Sequence, residues 1–289
     1  MTLAPEDTAA LETTTAGAEF ARACARTGTE TSLELRASIT TTFLPTQQRR
    51  PRFTVRDLLR VVPVEDDETV YAREVPVTPD PDRIGSASDA PEARFRYTTE
   101  RARVGTIRAS VEVPPGLVDD EAAFARFVDF RLVVRLCTAE NDALLNGAGP
   151  DEIEGLLNTP GVRHQGPRDT VAATLLAAGA TCELMGGSAD GIVMHPSDWW
   201  PLNGEGRLLR NLADLGMRMN RTRMVPPGFA LVGDFHAGGA VLDRRTSTIR
   251  FAREGDPDFD PARPRVVAEI REGLAVHLPG HFVTVELPR

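Results

Sequence analysis

The sequence predicts an α+β fold, and three stretches carry the prediction. Residues 119–147 form the longest helical pattern in the chain, residues 61–112 hold two runs of alternating side chains, and strand-type runs fill the chain after Phe229. In the helical stretch Phe127, Phe130, Val134, Cys137 and Leu144 recur at three- and four-residue spacing, which predicts a buried stripe. Arg131, Arg135, Thr138, Asp142 and Asn146 fall on a second, polar stripe. Pro114-Pro115-Gly116 prevents a helix from running in from before, Asp119 or Asp120 can cap the first turn, and Asn146-Gly147 offers a left-handed stop. At about 1.5 Å per residue such a helix is about 40 Å long, a spine for the other elements.

Residues 1–53 are rich in threonine and alanine and poor in periodic apolar side chains. Alone they cannot offset their ordering entropy, so the expectation is an arm, disordered or ordered against a neighbouring subunit. Residues 54–64 open the folded part as a short helix or turn leading into a strand. Val70, Ala72 and Glu74 then alternate with Tyr71, Arg73 and Val75, and on the return Ala102, Val104, Thr106, Arg108 and Ser110 alternate with Arg103, Gly105, Ile107, Ala109 and Val111. Pro76 to Pro91, between them, has the composition of a mobile tip. So thin a hairpin buries too little apolar area to stand alone in water and must lie on another surface.

After the spine, Asp169 is placed to cap a helix carrying Val171, Leu175, Ala178, Cys182 and Met185, closed by Gly186-Gly187. Gly191 to His195 reads as a buried strand, and Pro196 opens a brief helix under which Trp199 and Trp200 are expected to be buried. Another helix lies near 207–215. Strands are expected at 229–233, 240–242, 247–253, 265–276 and 281–287, and the alternating methionines and arginines of 216–224 suit a half-buried strand with a basic exposed side.

A chain of 289 residues can bury a substantial core in one large or two small domains. Its formal charge of −9 argues against broad affinity for nucleic acid, although Gln48-Arg49-Arg50-Pro51-Arg52 is a local basic patch. All 33 basic residues are arginine, which removes Schiff-base chemistry and any lysine-to-asparagine cross-link. Cys24, Cys137 and Cys182 are far apart and odd in number, so buried reduced thiols are expected rather than a disulfide framework. The acidic, threonine-rich start lacks a signal-peptide pattern and no apolar run is long enough to cross a bilayer; a soluble cytoplasmic protein without membrane partners is the expectation.

Chemistry-bearing residues do not converge in the sequence. His277 and His281 have zinc-helix spacing, but Pro279-Gly280 breaks any helix between them. Asp234 and His236 can present to one side of a strand, yet two ligands are not a site; His164 and His195 read as ordinary loop or surface positions. Glu140 and Asp142 sit near a helix end where pairing with a cation, such as an arginine of a neighbouring subunit, is expected. There is no phosphate-binding loop, nucleophile elbow or Cys-x-x-Cys pair. No catalytic, cofactor-binding or metal residue is predicted. A small enzyme using Asp234, His236 or Glu269, and a nucleic-acid binder using Arg49, Arg50 and Arg52, are the rival classes.

One resemblance adds to this reading. Ala139-Glu140-Asn141-Asp142-Ala143-Leu144-Leu145-Asn146-Gly147, followed by Glu154-Gly155-Leu156-Leu157-Asn158, resembles the matching passage of tailed-phage major capsid proteins of the Hong Kong 97 type and of the related encapsulin shell proteins. Further similar passages follow in the same order: Ile192 to Trp199, Pro227 to Phe235, Val241 to Arg244 and Ala268 to Val276. The resemblance implies an α+β capsid fold made of an N-terminal arm (1–53), a strand and extended loop reaching over the adjacent subunit (54–112), a peripheral domain with the spine helix (113–165), an axial domain (166–240) and return strands (241–289). Where that family has an apolar strand before the Pro-Gly turn, this chain has the methionine–arginine strand, which leaves the lining of any pore open.

The function implied is that of a shell subunit, a homo-oligomer of pentamers with or without hexamers. Because about 50 residues precede the similar block and no lysine is available for covalent cross-linking, an encapsulin nanocompartment holding an enzyme cargo is expected. The alternative is a phage or prophage capsid in a virion, in which case nucleic acid is the partner.

Overall fold

The computed structural model describes residues 15–40, 54–75, 96–147, 153–202, 208–257 and 259–288. In chain order these form α1 (Ala16–Thr27), β1 (Ser32–Leu35), β2 (Arg60–Pro63), β3 (Glu68–Glu74), β4 (Tyr97–Arg103), β5 (Gly105–Glu112), α2 (Glu121–Phe127), α3 (Val134–Asn146), β6 (Arg163–Gln165), α4 (Val171–Leu184), β7 (Gly191–Met194), α5 (Pro196–Leu202), α6 (Leu208–Asp214), β8 (Arg218–Arg221), β9 (Phe229–Gly233), α7 (Phe235–Gly238), β10 (Gly239–Phe251), β11 (Arg265–Val276) and β12 (Phe282–Glu286). The expected tip at Pro76 to Pro91 and the basic run at Gln48 to Arg52 lie outside the described residues. The chain divides into two compact units: Met1–Arg52, Thr106–Ala139 and Arg245–Ile270 make the first, and Phe53–Gly105, Glu140–Arg244 and Arg271–Arg289 the second.

In the first unit, residues 15–40 find a surface within their own chain, where the sequence predicts an arm that is disordered or ordered against a neighbouring subunit. The Thr15 hydroxyl caps α1 by accepting from the Ala18 amide at 3.0 Å. It also donates to Asp129 Oδ2 at 2.6 Å, and the Gly17 amide donates to Asp129 Oδ1 at 2.8 Å. A carboxylate thus meets the positive end of the helix. Gly17 permits the close approach, since a Cβ there would lie 2.3 Å from the Ala125 carbonyl oxygen. Phe20 of α1 meets Phe124 and Phe251 at ring-centroid distances of 5.9 and 5.8 Å, and Phe124 meets Phe251 at 6.1 Å. β1 pairs antiparallel with β10, Ser32 opposite Arg250 and Leu35 opposite Ser247. Replacing Asp129 by alanine is expected to leave the Thr15 and Gly17 donors unsatisfied, cost about 1–3 kcal/mol and raise hydrogen-exchange rates across α1 before the rest of the unit.

The spine is capped by Asp120, which accepts from the Ala123 amide, and ends at Gly147 with φ +89°. Its burial departs in part from the predicted stripe. Cys137 and Leu144 are buried as the stripe predicts and Val134 is half-buried, but Phe127 is only half-buried and Phe130 is 57% exposed, while Phe124, Val128, Leu132, Leu136 and Glu140 are buried instead. The reason is a π-helical turn over Val128–Val133. Positions four apart drift by about 40° per step around a 3.6-residue helix. One wider turn takes up part of that drift and keeps a four-residue stripe facing inward. Arg131, Arg135, Asp142 and Asn146 are exposed, as the polar stripe predicts, with Thr138 half-buried.

The second unit is built on a five-stranded sheet in the order β6-β12-β9-β7-β8. Its core joins Leu175, Ala178 and Cys182 of α4, Leu202 of α5 and Leu212 of α6 to Ile192, Met194, Val232 and Val283. Thr170, not Asp169, caps α4, because its hydroxyl reaches the Ala173 amide at 3.1 Å. Strand β2 pairs parallel with Ala240–Asp243 of β10. The two strands expected at 240–242 and 247–253 are one strand, β10, with Arg245 alone in the left-handed region at φ +52°. β3 and β4 form a two-stranded ribbon, Glu68 opposite Arg103 and Glu74 opposite Tyr97. Its inner end rests on the same chain through Tyr71 and Ala102 against Leu242 and Ala275.

Candidate functional site

The densest polar cluster in the second unit surrounds Arg56. Thr54 and Asp57 form a capping box around the single helical turn Val55–Asp57. The Val55 amide donates to Asn141 Oδ1 at 2.7 Å. That turn points the Arg56 guanidinium at three carboxylates: Asp243 Oδ2 at 2.6 Å, Glu272, which it bonds through Nη1, and Glu140 Oε1 at 3.5 Å. All four groups are buried. The segment is fixed again from outside, since Arg218 donates to the Asp57 carbonyl at 2.7 Å and to the Leu58 carbonyl at 3.0 Å.

One cation facing three buried carboxylates leaves a deficit of positive charge. Burial raises the Glu140 pKa well above the ordinary carboxylate value, Glu272 pushes the same way, and Arg56 opposes both. Burial also raises Glu272. For Arg56 burial works downward, but the carboxylates outweigh it and its pKa rises. Both shifts favour the protonated form, so the Glu140–Glu272 pair is expected to hold a shared proton to higher pH than a free carboxyl does. A carboxyl whose pKa is raised by folding binds more protons folded than unfolded, so stability falls as pH rises above the ordinary carboxylate range. The melting temperature should therefore decline from mildly acidic toward alkaline pH, and Glu140→Gln should flatten that decline. An equally steep profile in the variant would refute the shared proton.

A second constellation closes the spine. The last carbonyls of a helix lack partners within it. Here the chain folds back so that the Leu156 amide donates to the Leu144 carbonyl and the Leu157 amide to the Leu145 carbonyl, each at 2.9 Å. Asn158 Nδ2 donates to the Asn146 carbonyl at 2.7 Å. Gly155 makes the fold-back possible, since a Cβ would lie 2.3 Å from the Gly147 nitrogen and 2.4 Å from the Leu145 oxygen. The Asn-Gly and Glu-Gly-Leu-Leu-Asn passages are thus two halves of one helix terminus.

The residues considered for chemistry are scattered. Asp234 caps α7 through the Ala237 amide and accepts from the Ser188 amide, both at 3.0 Å, so its carboxylate is structural. His236 is exposed on α7, and its amide donates to Asp190 Oδ2 at 3.2 Å. Glu269 belongs to the other unit, where it pairs with Arg250 and Arg108. His281 is buried 3.7 Å from Asp234, His277 packs edge-on to Tyr71, His164 lies 3.4 Å from Thr284 Oγ1, and His195 holds Ser197 Oγ at 2.6 Å. Among the described residues no three His, Cys, Asp or Glu side chains form a metal-binding group. The three cysteines are free and buried, with Cys24 pushed up to about 11 and Cys182 to about 12, by burial in both cases.

One expectation holds and one is corrected. Glu140 pairs with a cation as expected, and that cation is Arg56 of its own chain. Trp200 is 62% exposed rather than buried, since consecutive residues of a short helix point about 100° apart and Trp199 takes the inner position. Arg221 lies over the Trp199 ring at 3.9 Å. Sequence reasoning misses Arg56, Asp243 and Glu272. Each stands next to another charged residue, Asp57, Arg244 and Arg271, as an ordinary surface charge would.

The model of the phage capsid family matches residues 39–203, more than half of the chain. The chain belongs to the phage capsid family. This is a structural family rather than a class of enzyme. The chain is 28% identical over 250 residues to the major capsid protein of Enterobacteria phage HK97, covering 79% of this chain and 63% of that protein, so it spans under two thirds of its relative's length. Its fold is similar to that of a virus-like particle from Pyrococcus furiosus, with a TM-score of 0.57 and 12% identity over 81% of this chain and 92% of the other. A structure from Mycobacterium phage Cain gives 0.58, 12%, 84% and 93% in the same order. The capsid of a native GTA particle computed with C5 symmetry gives 0.54, 16%, 88% and 98%. The α+β capsid fold expected from the resemblance is the fold observed. Among the described residues no helix is long and apolar enough to cross a membrane.

Proposed function

We propose that this chain is the subunit of a closed icosahedral shell that assembles from many copies of itself. The observation that carries the reading is the family match across residues 39–203. The β3–β4 ribbon supports it: Val70 and Tyr97 on its surface are 58% and 59% exposed, and two strands alone are marginal in water. A neighbouring copy would cover such a surface, and closed symmetry satisfies every copy at once. In this reading residues 166–240 form the axial part and residues 113–165 with 241–289 the peripheral part.

The contents follow the nearer sequence relation. Identity of 28% to a phage major capsid protein favours packaged DNA. A nanocompartment for an enzyme cargo is the second reading, favoured by the lack of any lysine for a covalently cross-linked, pressure-resistant wall. Purified protein is expected to elute in the megadalton range and to show closed shells by negative-stain electron microscopy. A clean monomer or dimer at high concentration would overturn the shell reading. Genes for a terminase, portal and protease beside this one would support DNA packaging; a neighbouring enzyme gene with a tail peptide would support the cargo reading.

A further inference from the structure

We infer that the outer face of the spine in the first unit is a binding site for the phosphate backbone of nucleic acid. Arg126, Arg131 and Arg135 are all exposed there, with Phe130 exposed among them. None of the three arginines forms an ion pair or side-chain hydrogen bond with another described residue. Nor do Arg22 and Arg26, exposed on α1 of the same unit. The acidic groups of the spine's first half are set apart from the row: Asp119, Asp120 and Glu121 are exposed at its very start, with Asp120 capping the Ala123 amide, and Asp129 is turned inward to hold Thr15 and Gly17. Like charges at Arg131 and Arg135, four residues apart, weaken a helix rather than support it.

In a chain of net charge −9, a one-signed row of this kind needs a polyanion to explain it. From Arg126 to Arg135 the row runs about 14 Å along the helix, which is about four base pairs at roughly 3.4 Å per phosphate along one strand. Arginine forks match phosphate oxygens in pairs, and an exposed aromatic ring gives a base a face to stack on where the strand is single. An acidic surface on a second copy is the competing partner. Two acidic runs of three or more residues lie among the described residues, the one starting Glu65-Asp66-Asp67, where Asp67 is committed to Arg244 and Arg271, and the exposed Asp119-Asp120-Glu121, where Asp120 caps the spine; each is too short for the row.

This site rests on the shell reading only in giving the subunit something to touch inside the particle, and binding is measured separately from assembly. Fluorescence anisotropy of labelled 30-nucleotide single-stranded and duplex DNA with unassembled subunits is the test, run from 50 to 200 mM salt. Three phosphate contacts predict a log–log salt slope near −2.7 on duplex, a loss of about 40-fold over that range. The triple variant Arg126→Gln/Arg131→Gln/Arg135→Gln should melt like the parent, assemble like it and lose most of the slope. Phe130→Ala should weaken the single strand more than the duplex. Unchanged DNA affinity in the triple variant, or no binding by the parent at 50 mM salt, would overturn the site. Loss of assembly with DNA binding intact would assign the row to contacts between copies instead. A parent that never assembles would sink the shell reading without touching this result.

Discussion

Arg56→Met should destabilise the second unit by about 3–5 kcal/mol, because it strands the buried Asp243 carboxylate and the Glu140–Glu272 pair around an apolar side chain. Only part of that loss is the worth of the pairs; most is the cost of anions left without a cation. Urea unfolding checks it, and a second variant separates the two contributions. Adding Glu140→Gln, Asp243→Asn and Glu272→Gln to Arg56→Met should recover much of the loss, since a buried charged cluster replaced as a whole is often tolerated. If the fourfold variant is no more stable than the single one, the cluster's geometry rather than its charge is what matters. Arg56→Lys should fall between, because a point ammonium cannot reach several carboxylates in the plane of a fork.

Gly155→Ala should cost a comparable amount, about 3–5 kcal/mol. The new methyl would lie 2.3 Å from one backbone nitrogen and 2.4 Å from a carbonyl oxygen, and neither can move without unwinding the end of the spine. Shifting the loop instead gives up the Leu156 and Leu157 hydrogen bonds and exposes helix carbonyls. Gly166→Ala is the matched control, for a Cβ there meets nothing within 4 Å. Equal melting temperatures for the two variants would mean that the terminus tolerates being open.

These two sites mark where sequence reading succeeds and where it stops. The glycines and asparagines of the fold-back are legible because turn chemistry is local: Gly147 is the expected stop and the observed one. Strands β9 and β11 match their expected bounds, 229–233 and 265–276, because glycine or proline stands near their ends. The inward face of the spine holds at Cys137 and Leu144 but fails at Phe127 and Phe130, since periodicity assumes 3.6 residues per turn and the π turn at Val128–Val133 breaks that assumption. The Arg56 cluster is invisible in the sequence for another reason. Its members are up to 216 residues apart, and each alone looks like a surface charge. Residues 15–40 are better anchored than their composition suggests because their partner, Asp129, lies 114 residues from Thr15 along the chain, beyond the reach of local patterns.

The sealed thiols have a practical corollary. With Cys24, Cys137 and Cys182 out of solvent and no lysine in the chain, the folded subunit offers little to maleimides or to amine-directed esters. A single cysteine introduced on the outside would then be the one position that takes a dye, a spin label or a heavy-atom tag.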